Sequence, residues 1–171
     1  KASTSVIAAV VLGGLGMPDR DYYLKDDPKT AETRAAYRAH AERLLALAGS
    51  ADPAGEADAA LRVETHLARS AMDRVLRRNP DNTYHKTDRA GLARLAPAFD
   101  WEAYFRAAGG PDWREVNAVS PGFLEGFSAL LSTGTASDLR SYLRWRSAAE
   151  LAPRLSKAFA EESFDFHGRR M

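Results

Sequence analysis

Residues 27–49 read DPKTAETRAAYRAHAERLLALAG and predict a helix with both of its ends marked. Asp27 is suited to cap the first turn, and Pro28 falls at the first helical position, where its missing N–H is not needed. Apolar residues then recur at helical spacing and form one face, which consists of Tyr37, Ala41, Leu44, Leu45 and Ala48. Gly49 is the expected C-terminal stop, so this stretch indicates a chain built from helices.

A second helix follows after a short connection. It is expected to begin near Pro53 and to run to about Arg78. Its inner face is predicted to consist of Ala60, Leu67, Ala71 and Val75, with Leu61 and Ala68 beside them. Because only residues 49–52 separate the two helices, the sequence predicts an antiparallel helical hairpin.

The residues before this hairpin predict a strand and a turn. Residues 6–12 are apolar and rich in β-branched side chains, which is typical of a short buried strand. Four helix-breaking residues then predict an irregular turn, namely Gly13, Gly14, Gly16 and Pro18. This glycine-rich segment lacks the lysine of a phosphate-binding loop and the spacing of a dinucleotide fingerprint, so it favours a tight turn.

The rest of the chain predicts shorter helices and a second strand. Helices are expected from Thr87 or Asp88 to Leu95, from 101 to 108 after an Asp100 cap, from 121 to 131, and from a Ser137 cap to Ala149 or beyond. Residues 115–119 alternate weakly and predict a strand. Pro153 is expected to kink or restart the last helix, whose buried face continues through Leu155, Phe159 and Phe164.

The fold class is therefore mainly α. About seven helices are expected in a multi-helix domain with an antiparallel helical hairpin and one or two short β-strands. A length of 171 residues with 45% hydrophobic residues is sufficient for a real core.

Charge and composition exclude several classes of function. The net charge of +1 gives no electrostatic reason for a nucleic-acid or membrane partner. The absence of cysteine excludes disulfides, thiolate metal sites and cysteine nucleophiles. The longest apolar run, residues 6–12, is far shorter than the roughly 20 residues that a membrane-spanning helix needs.

The residues show no visible active site. The histidines are His40, His66, His85 and His167, and no two of them lie one helical turn apart with a glutamate base, as in zinc proteases. We interpret all four as surface or capping residues. The acidic residues of the turn are interpreted as caps and ion pairs, not calcium ligands; they are Asp19, Asp21, Asp26 and Asp27.

Two further residue classes were candidates for chemistry. No serine lies in a nucleophile elbow, and the loop or cap serines are Ser3, Ser120 and Ser137. The aromatic residues are interpreted as core, not as a base-stacking surface; they are Trp101, Tyr104, Phe105, Trp113, Tyr142 and Trp145. The sequence thus predicts no catalytic, cofactor-binding or metal-binding residue.

Three stretches, in order, resemble one known family. They are GGLGMPDRDYYLKD (residues 13–26), NPDNTYHKTDRAGLARLAPAFDW (79–101) and LRSYLRWRSAAELAPRLSKAFAEESFDFHGR (139–169). Together they resemble the neprilysin and endothelin-converting-enzyme family of zinc metallopeptidases in its bacterial form. His85 stands where that family usually has asparagine, and His167 where tyrosine is common.

The resemblance implies a fold and a role. Members carry a thermolysin-like zinc domain and a helical domain that covers its cleft. The resemblance places residues 1–171 within a single helical covering domain, truncated at both ends and without the catalytic zinc domain. Such a segment would wall the substrate cavity and restrict access to short peptides. Its expected partners are the catalytic domain of the same polypeptide and peptide substrates.

Zinc is expected only in the longer parent protein of which this segment would be a part, not in residues 1–171. A periplasmic or secreted location is favoured over a cytoplasmic one. The alternative is an autonomous α-helical protein-interaction module with an exposed apolar groove. A small hydrolase is disfavoured because no nucleophile–base pair is visible. A truncated domain is also expected to expose an apolar surface where its missing parts pack.

Overall fold

The computed structural model describes residues 6–109 and 114–169. Within these ranges there are eight α-helices: α1 (Asp21–Leu24), α2 (Pro28–Leu47), α3 (Pro53–Ser70), α4 (Arg89–Leu95), α5 (Trp101–Ala107), α6 (Pro121–Thr133), α7 (Ala136–Leu151) and α8 (Lys157–His167). The strands are β1 (Ala8–Val10), β2 (Lys86–Asp88) and β3 (Glu115–Ala118). Short 3₁₀ helices span Leu76–Arg78, Pro80–Asn82 and Ala152–Arg154. The predicted mainly α class is confirmed, with one more helix and one more strand than expected.

The chain divides into two compact units, each with its own core. The first unit consists of the residues up to Gly13 together with Ser70–Thr133. The second unit consists of Gly14–Arg69 and the residues from Gly134 onward. That residues 1–171 belong to a single covering domain stays a prediction.

The second unit contains the predicted helical hairpin. Asp27 caps α2, because its Oδ1 accepts a hydrogen bond of 3.0 Å from the Thr30 N–H. Gly49, with φ of +76°, follows the end of α2 as expected. The ion pair Arg38–Asp58 joins α2 to α3 across the short connection. The hairpin prediction is therefore confirmed.

The core of the second unit packs α7 and α8 against α2. Its buried members are Met17, Tyr23, Tyr37, Ala41, Leu44, Leu45, Ala57, Ala60, Ala68, Trp145, Ala152 and Phe166. Most of the apolar face predicted for α2 is included, although Ala48 lies exposed at the helix end.

The first unit is built on a three-stranded sheet in the order β1-β3-β2. β1 is parallel to β3, with Ala9 opposite Asn117, and β2 is antiparallel to β3. The core beneath the sheet consists of Leu92, Ala96, Trp101, Phe105, Val116, Ala118 and Leu124. Asp100 caps α5 as predicted, since it accepts from the Ala103 N–H at 2.8 Å, and Asp88 caps α4 by accepting from the Gly91 N–H at 2.7 Å.

Helix α3 is shorter than predicted. It ends at Ser70, not near Arg78, and Val75 is 69% exposed instead of lining the inner face. The physical reason lies at Asp73, whose Oδ1 accepts a 2.6 Å hydrogen bond from the Val75 N–H. Such a local side-chain bond competes with the helical pattern and favours a turn.

The predicted buried strand over residues 6–12 is also wrong in extent. β1 covers only Ala8–Val10, and the flanking Val6 and Val11 are 98% and 64% exposed. Among the described residues β1 pairs with β3 alone, so only one of its edges is covered.

Smaller corrections concern the caps and the last helix. Thr135, not Ser137, caps α7, because its hydroxyl accepts from the Asp138 N–H at 3.0 Å. Phe164 is 60% exposed, and Phe166 takes the buried position instead. Thr87 lies within β2, so α4 begins after Asp88. Ser3 and Trp113 lie outside the described residues.

Candidate functional site

Glu64 is a carboxylate enclosed in the core of the second unit. It lies in α3 one turn from Ala60 and one turn from Ala68, which are both buried, and its own exposed fraction is 0%. A charge at such a position is destabilising by several kcal/mol unless hydrogen bonds and neighbouring charges compensate for the lost water. The partners of Glu64 therefore define the site.

Three side chains from three other helices surround Glu64. Tyr23 Oη in α1 donates to Glu64 Oε2 at 2.8 Å, and Tyr37 Oη in α2 lies 2.9 and 2.8 Å from the two carboxylate oxygens. Trp145 Nε1 in α7 lies 3.2 Å from Glu64 Oε1 and 3.1 Å from Tyr37 Oη. We call Tyr23, Tyr37, Glu64 and Trp145 the Glu64 cluster. It joins four helices through one carboxylate.

The Glu64 cluster also holds the turn that precedes α1. Tyr23 Oη accepts hydrogen bonds from the backbone N–H groups of Gly16 at 3.0 Å and Met17 at 2.8 Å. Since both acceptor positions of this hydroxyl are then used, its proton points to Glu64. The tyrosine of the sequence motif thus closes its own turn and fastens that turn to α3.

The glycines of this turn are explained by close contacts. Gly14 has φ of +83°, and its carbonyl oxygen accepts from Tyr142 Oη at 2.9 Å. A Cβ placed on Gly16 would overlap the Tyr37 hydroxyl, which the core holds in place. Both positions therefore require glycine for packing.

Electrostatics keep the two tyrosines as donors. Burial raises the pKa of Glu64, while the hydrogen bonds from Tyr37 and Tyr23 and the charge of Arg146 act in the opposite direction. Burial and the nearby Glu64 charge raise the pKa values of Tyr23 and Tyr37 well above 10.0. Both hydroxyls therefore stay protonated and donate at neutral pH.

A second cluster joins α2 to α8. His40 Nδ1 lies 2.9 Å from Glu162 Oε1, and Arg43 Nε donates to Glu162 Oε2 at 2.7 Å. The Phe166 ring stacks on the His40 ring with centroids 4.6 Å apart, and His167 meets it edge-on at 5.4 Å. We call His40, Arg43, Glu162 and His167 the His40 cluster.

The prediction that all four histidines are surface or capping residues is wrong for His40. Its exposed fraction is 0%, and burial lowers its pKa below the ordinary value despite the Glu162 partner. His66 and His85 are half-buried, whereas His167 is exposed and its Nδ1 lies 3.0 Å from Ser163 O. Among residues 6–109 and 114–169, no three side chains of the metal-binding types come together.

The remaining predicted groups have structural roles. Asp19 accepts from the Asp21 N–H at 3.0 Å, and Asp21 pairs with Lys25 at 2.7 Å, as expected for caps and ion pairs. The Ser120 carbonyl accepts from the Phe123 N–H at the start of α6. Trp101, Phe105 and Trp145 are buried as predicted, whereas Tyr104 is half exposed.

Both clusters were missed at the level of sequence, although a signal was present. Glu64 lies four residues from Ala60 and four from Ala68, so it falls on the face of α3 that was expected to be apolar. His40 follows Tyr37 by one turn on the apolar face of α2. A charged or titratable residue on an apolar face indicates a paired, buried group.

The chain belongs to peptidase family M13. The model of the N-terminal part of that family matches residues 1–171, which is the whole chain. Within the described ranges, no helix combines the length and the apolar character needed to cross a membrane.

Curated relatives and solved structures agree with this family. The chain is 30% identical to human endothelin-converting enzyme 1 over 175 residues, which cover 96% of this chain and 22% of that protein. It is 32% identical to the zinc metalloprotease Zmp1 of Mycobacterium tuberculosis in its open state, with a TM-score of 0.87 over 93% of this chain and 25% of that one. PepO from Lactobacillus rhamnosis, at 21% identity and a TM-score of 0.73, shows the fold alone. The chain spans about a fifth to a quarter of these proteins.

Proposed function

We propose that this chain is the N-terminal part of a zinc metalloendopeptidase, in which it walls the substrate cavity and restricts access to short peptides. The observation that carries the proposal is the family M13 match over residues 1–171, together with relatives that are about four times as long. One of these relatives is a zinc metalloprotease by name. The catalytic residues and the zinc ligands would then lie in the catalytic domain of the same polypeptide.

The geometry of the second unit supports a wall more than a reaction centre. Glu64 is sealed from solvent, and its carboxylate is enclosed by three donor atoms, which are Tyr23 Oη, Tyr37 Oη and Trp145 Nε1, so a substrate has no access to it. The cluster instead ties α1, α2, α3 and α7 to one point. Such cross-linking suits a rigid cover whose shape selects substrates by size.

The interaction module is the weaker proposal, because the similarity to M13 peptidases extends over the whole chain and leaves no separate binding segment unaccounted for. For the parent protein we also propose a periplasmic or secreted location.

The proposal is tested on the full-length parent protein. A series of fluorogenic peptides shares one cleavage sequence and increases in length, and kcat/KM is measured for each. We expect kcat/KM to fall steeply once the peptides exceed the size that the cavity admits, and all cleavage to stop when a chelator removes zinc and to return when zinc is added back.

The matched control is the 171-residue chain alone. It is expected to cleave none of the peptides and to bind no stoichiometric zinc. One tightly bound zinc per isolated chain, or a parent protein that cleaves long and short peptides equally well, would contradict the proposal.

A further inference from the structure

The two outer edges of the sheet in the first unit differ in chemistry. The β2 edge is charged, since Lys86 pairs with Glu115 at 2.6 Å and Asp88 caps α4. Lysine and other charges on an outer strand discourage pairing with further strands. The β1 edge has no such protection, because residues 6–12 read VIAAVVL and contain neither a charge nor a proline.

The register shows which backbone groups of β1 have no partner strand among residues 6–109 and 114–169. Ala8 lies opposite Val116 and Val10 opposite Ala118, and the Val119 N–H donates to the Val10 oxygen at 3.0 Å. In a parallel pair, alternate residues direct both backbone groups to the partner strand. The backbone groups of Ala8 and Val10 therefore face β3, while Ala9 directs its N–H and C=O to the open edge.

The side chains beside this edge are exposed to solvent. Val6 is 98% and Val11 64% exposed, and Ala9 is exposed as well. An uncharged run with high β-propensity and an unpaired edge is a template for uncontrolled pairing, and folded proteins cover such edges. A sheet whose strands have three or four residues also gains stability from one more strand.

We propose that the open edge of β1 pairs with a β-strand from the part of the same polypeptide outside residues 1–171, so that β1 becomes an inner strand. Its occupant is an uncharged, apolar strand, because the exposed side chains beside the edge, which are Val6, Ala9 and Val11, offer it only apolar contacts. The relatives indicate that the full-length polypeptide is long enough to contribute this strand, since the present chain spans only about a quarter of Zmp1. This inference concerns the assembly of the fold and does not depend on peptidase activity.

Hydrogen exchange on the full-length parent protein tests the proposal directly. The amide of Ala9 is expected to exchange at least about tenfold more slowly in the parent than in the 171-residue chain. The Val10 amide is the internal control, because it faces β3 in both proteins and should be similarly protected in both.

A proline variant provides the second measurement. Ala9→Pro removes an N–H that faces the open edge, where proline is tolerated if no strand pairs there. We expect Ala9→Pro to lower the Tm of the parent by several degrees and to leave the Tm of the isolated chain nearly unchanged. Ala8→Pro is the matched control, because it removes an N–H that faces β3 and should lower the Tm of both.

Three results would overturn the proposal. The first is an Ala9 amide that exchanges equally fast in the parent and in the isolated chain. The second is an Ala9→Pro effect of the same size in both proteins. The third is protection that appears only as the parent dimerises with rising concentration, which would assign the edge to a second copy.

Discussion

Two carboxylates of the second unit have opposite electrostatic behaviour. Glu64 is fully enclosed and is hydrogen-bonded by neutral tyrosine and tryptophan donors, and its pKa is raised by burial. The side chain of Glu162 is 14% exposed; burial alone would raise its pKa, but the hydrogen bonds from Arg43 and His40 outweigh it and lower the pKa. The neutral donors around Glu64 therefore compensate less for its lost hydration than the adjacent cation Arg43 does for Glu162 at the rim of the core.

The largest expected effect comes from removing each carboxylate in turn. Glu64→Ala leaves the Tyr23 and Tyr37 hydroxyls without their acceptor in a space closed to water, so we expect a loss of about 3–5 kcal/mol in the free energy of unfolding. Glu162→Ala should cost less, about 1–2 kcal/mol, because Arg43 is half exposed and regains water, so that only the buried His40 Nδ1 loses its partner. Urea unfolding of the two variants measures both losses. A larger loss for Glu162→Ala would reverse the comparison.

A smaller effect is expected from the donor side of the Glu64 cluster. Tyr23→Phe removes the hydroxyl that joins Glu64 to the N–H groups of Gly16 and Met17, and we expect it to cost about 1–3 kcal/mol. Exchange of the Gly16 and Met17 amides should become faster at the same time. Thermal unfolding and hydrogen exchange provide the two measurements.

The neighbouring tyrosine is the control for this variant. The Tyr22 hydroxyl has no hydrogen bond to any part of the chain that the structure describes, so Tyr22→Phe should change stability by no more than about 0.5 kcal/mol. Equal losses for the two variants would show that ring packing, not the hydroxyl of Tyr23, stabilises the turn.

Local features of the fold were predictable from sequence because their causes are local. The caps at Asp27 and Asp100 each accept from an N–H three residues later, and both were predicted from residue type alone. Strand β2 was missed because its cause is not local. It forms where β3 offers partners about thirty residues further along the chain, as in the bond from Ala118 N–H to His85 O.

The Glu64 cluster could be predicted only in part. Its bonds join residues 41, 27 and 81 positions apart, and a single sequence does not show which of them meet. The position of Glu64 on the apolar face of α3 was visible, as was the tyrosine of the motif. Their connection requires the packing of α1, α2 and α7 on α3, which local patterns do not determine.

The smallest effect is the pH dependence of the two carboxylates, and it tests the comparison most sharply. Glu64→Gln and Glu162→Gln each remove one titrating group with little change in volume. The quantity measured is the free energy of unfolding of the original chain minus that of each variant, between about pH 3.5 and pH 8. The predicted quantity is the sign of the change in this difference with pH, which follows from the direction of each pKa shift.

The signs of the two changes must differ. Because the folded pKa of Glu64 lies above its ordinary value of 4.5, its contribution is largest below that value and falls as the pH rises through the folded pKa. Because the folded pKa of Glu162 lies below 4.5, its contribution is present above that value and falls as the pH decreases through the folded pKa. Curves of equal sign would show that the neutral donors around Glu64 stabilise its charge as well as Arg43 and His40 stabilise that of Glu162. Opposite slopes would show that neutral donors do not offset burial at Glu64, whereas Arg43 and His40 do offset it at Glu162.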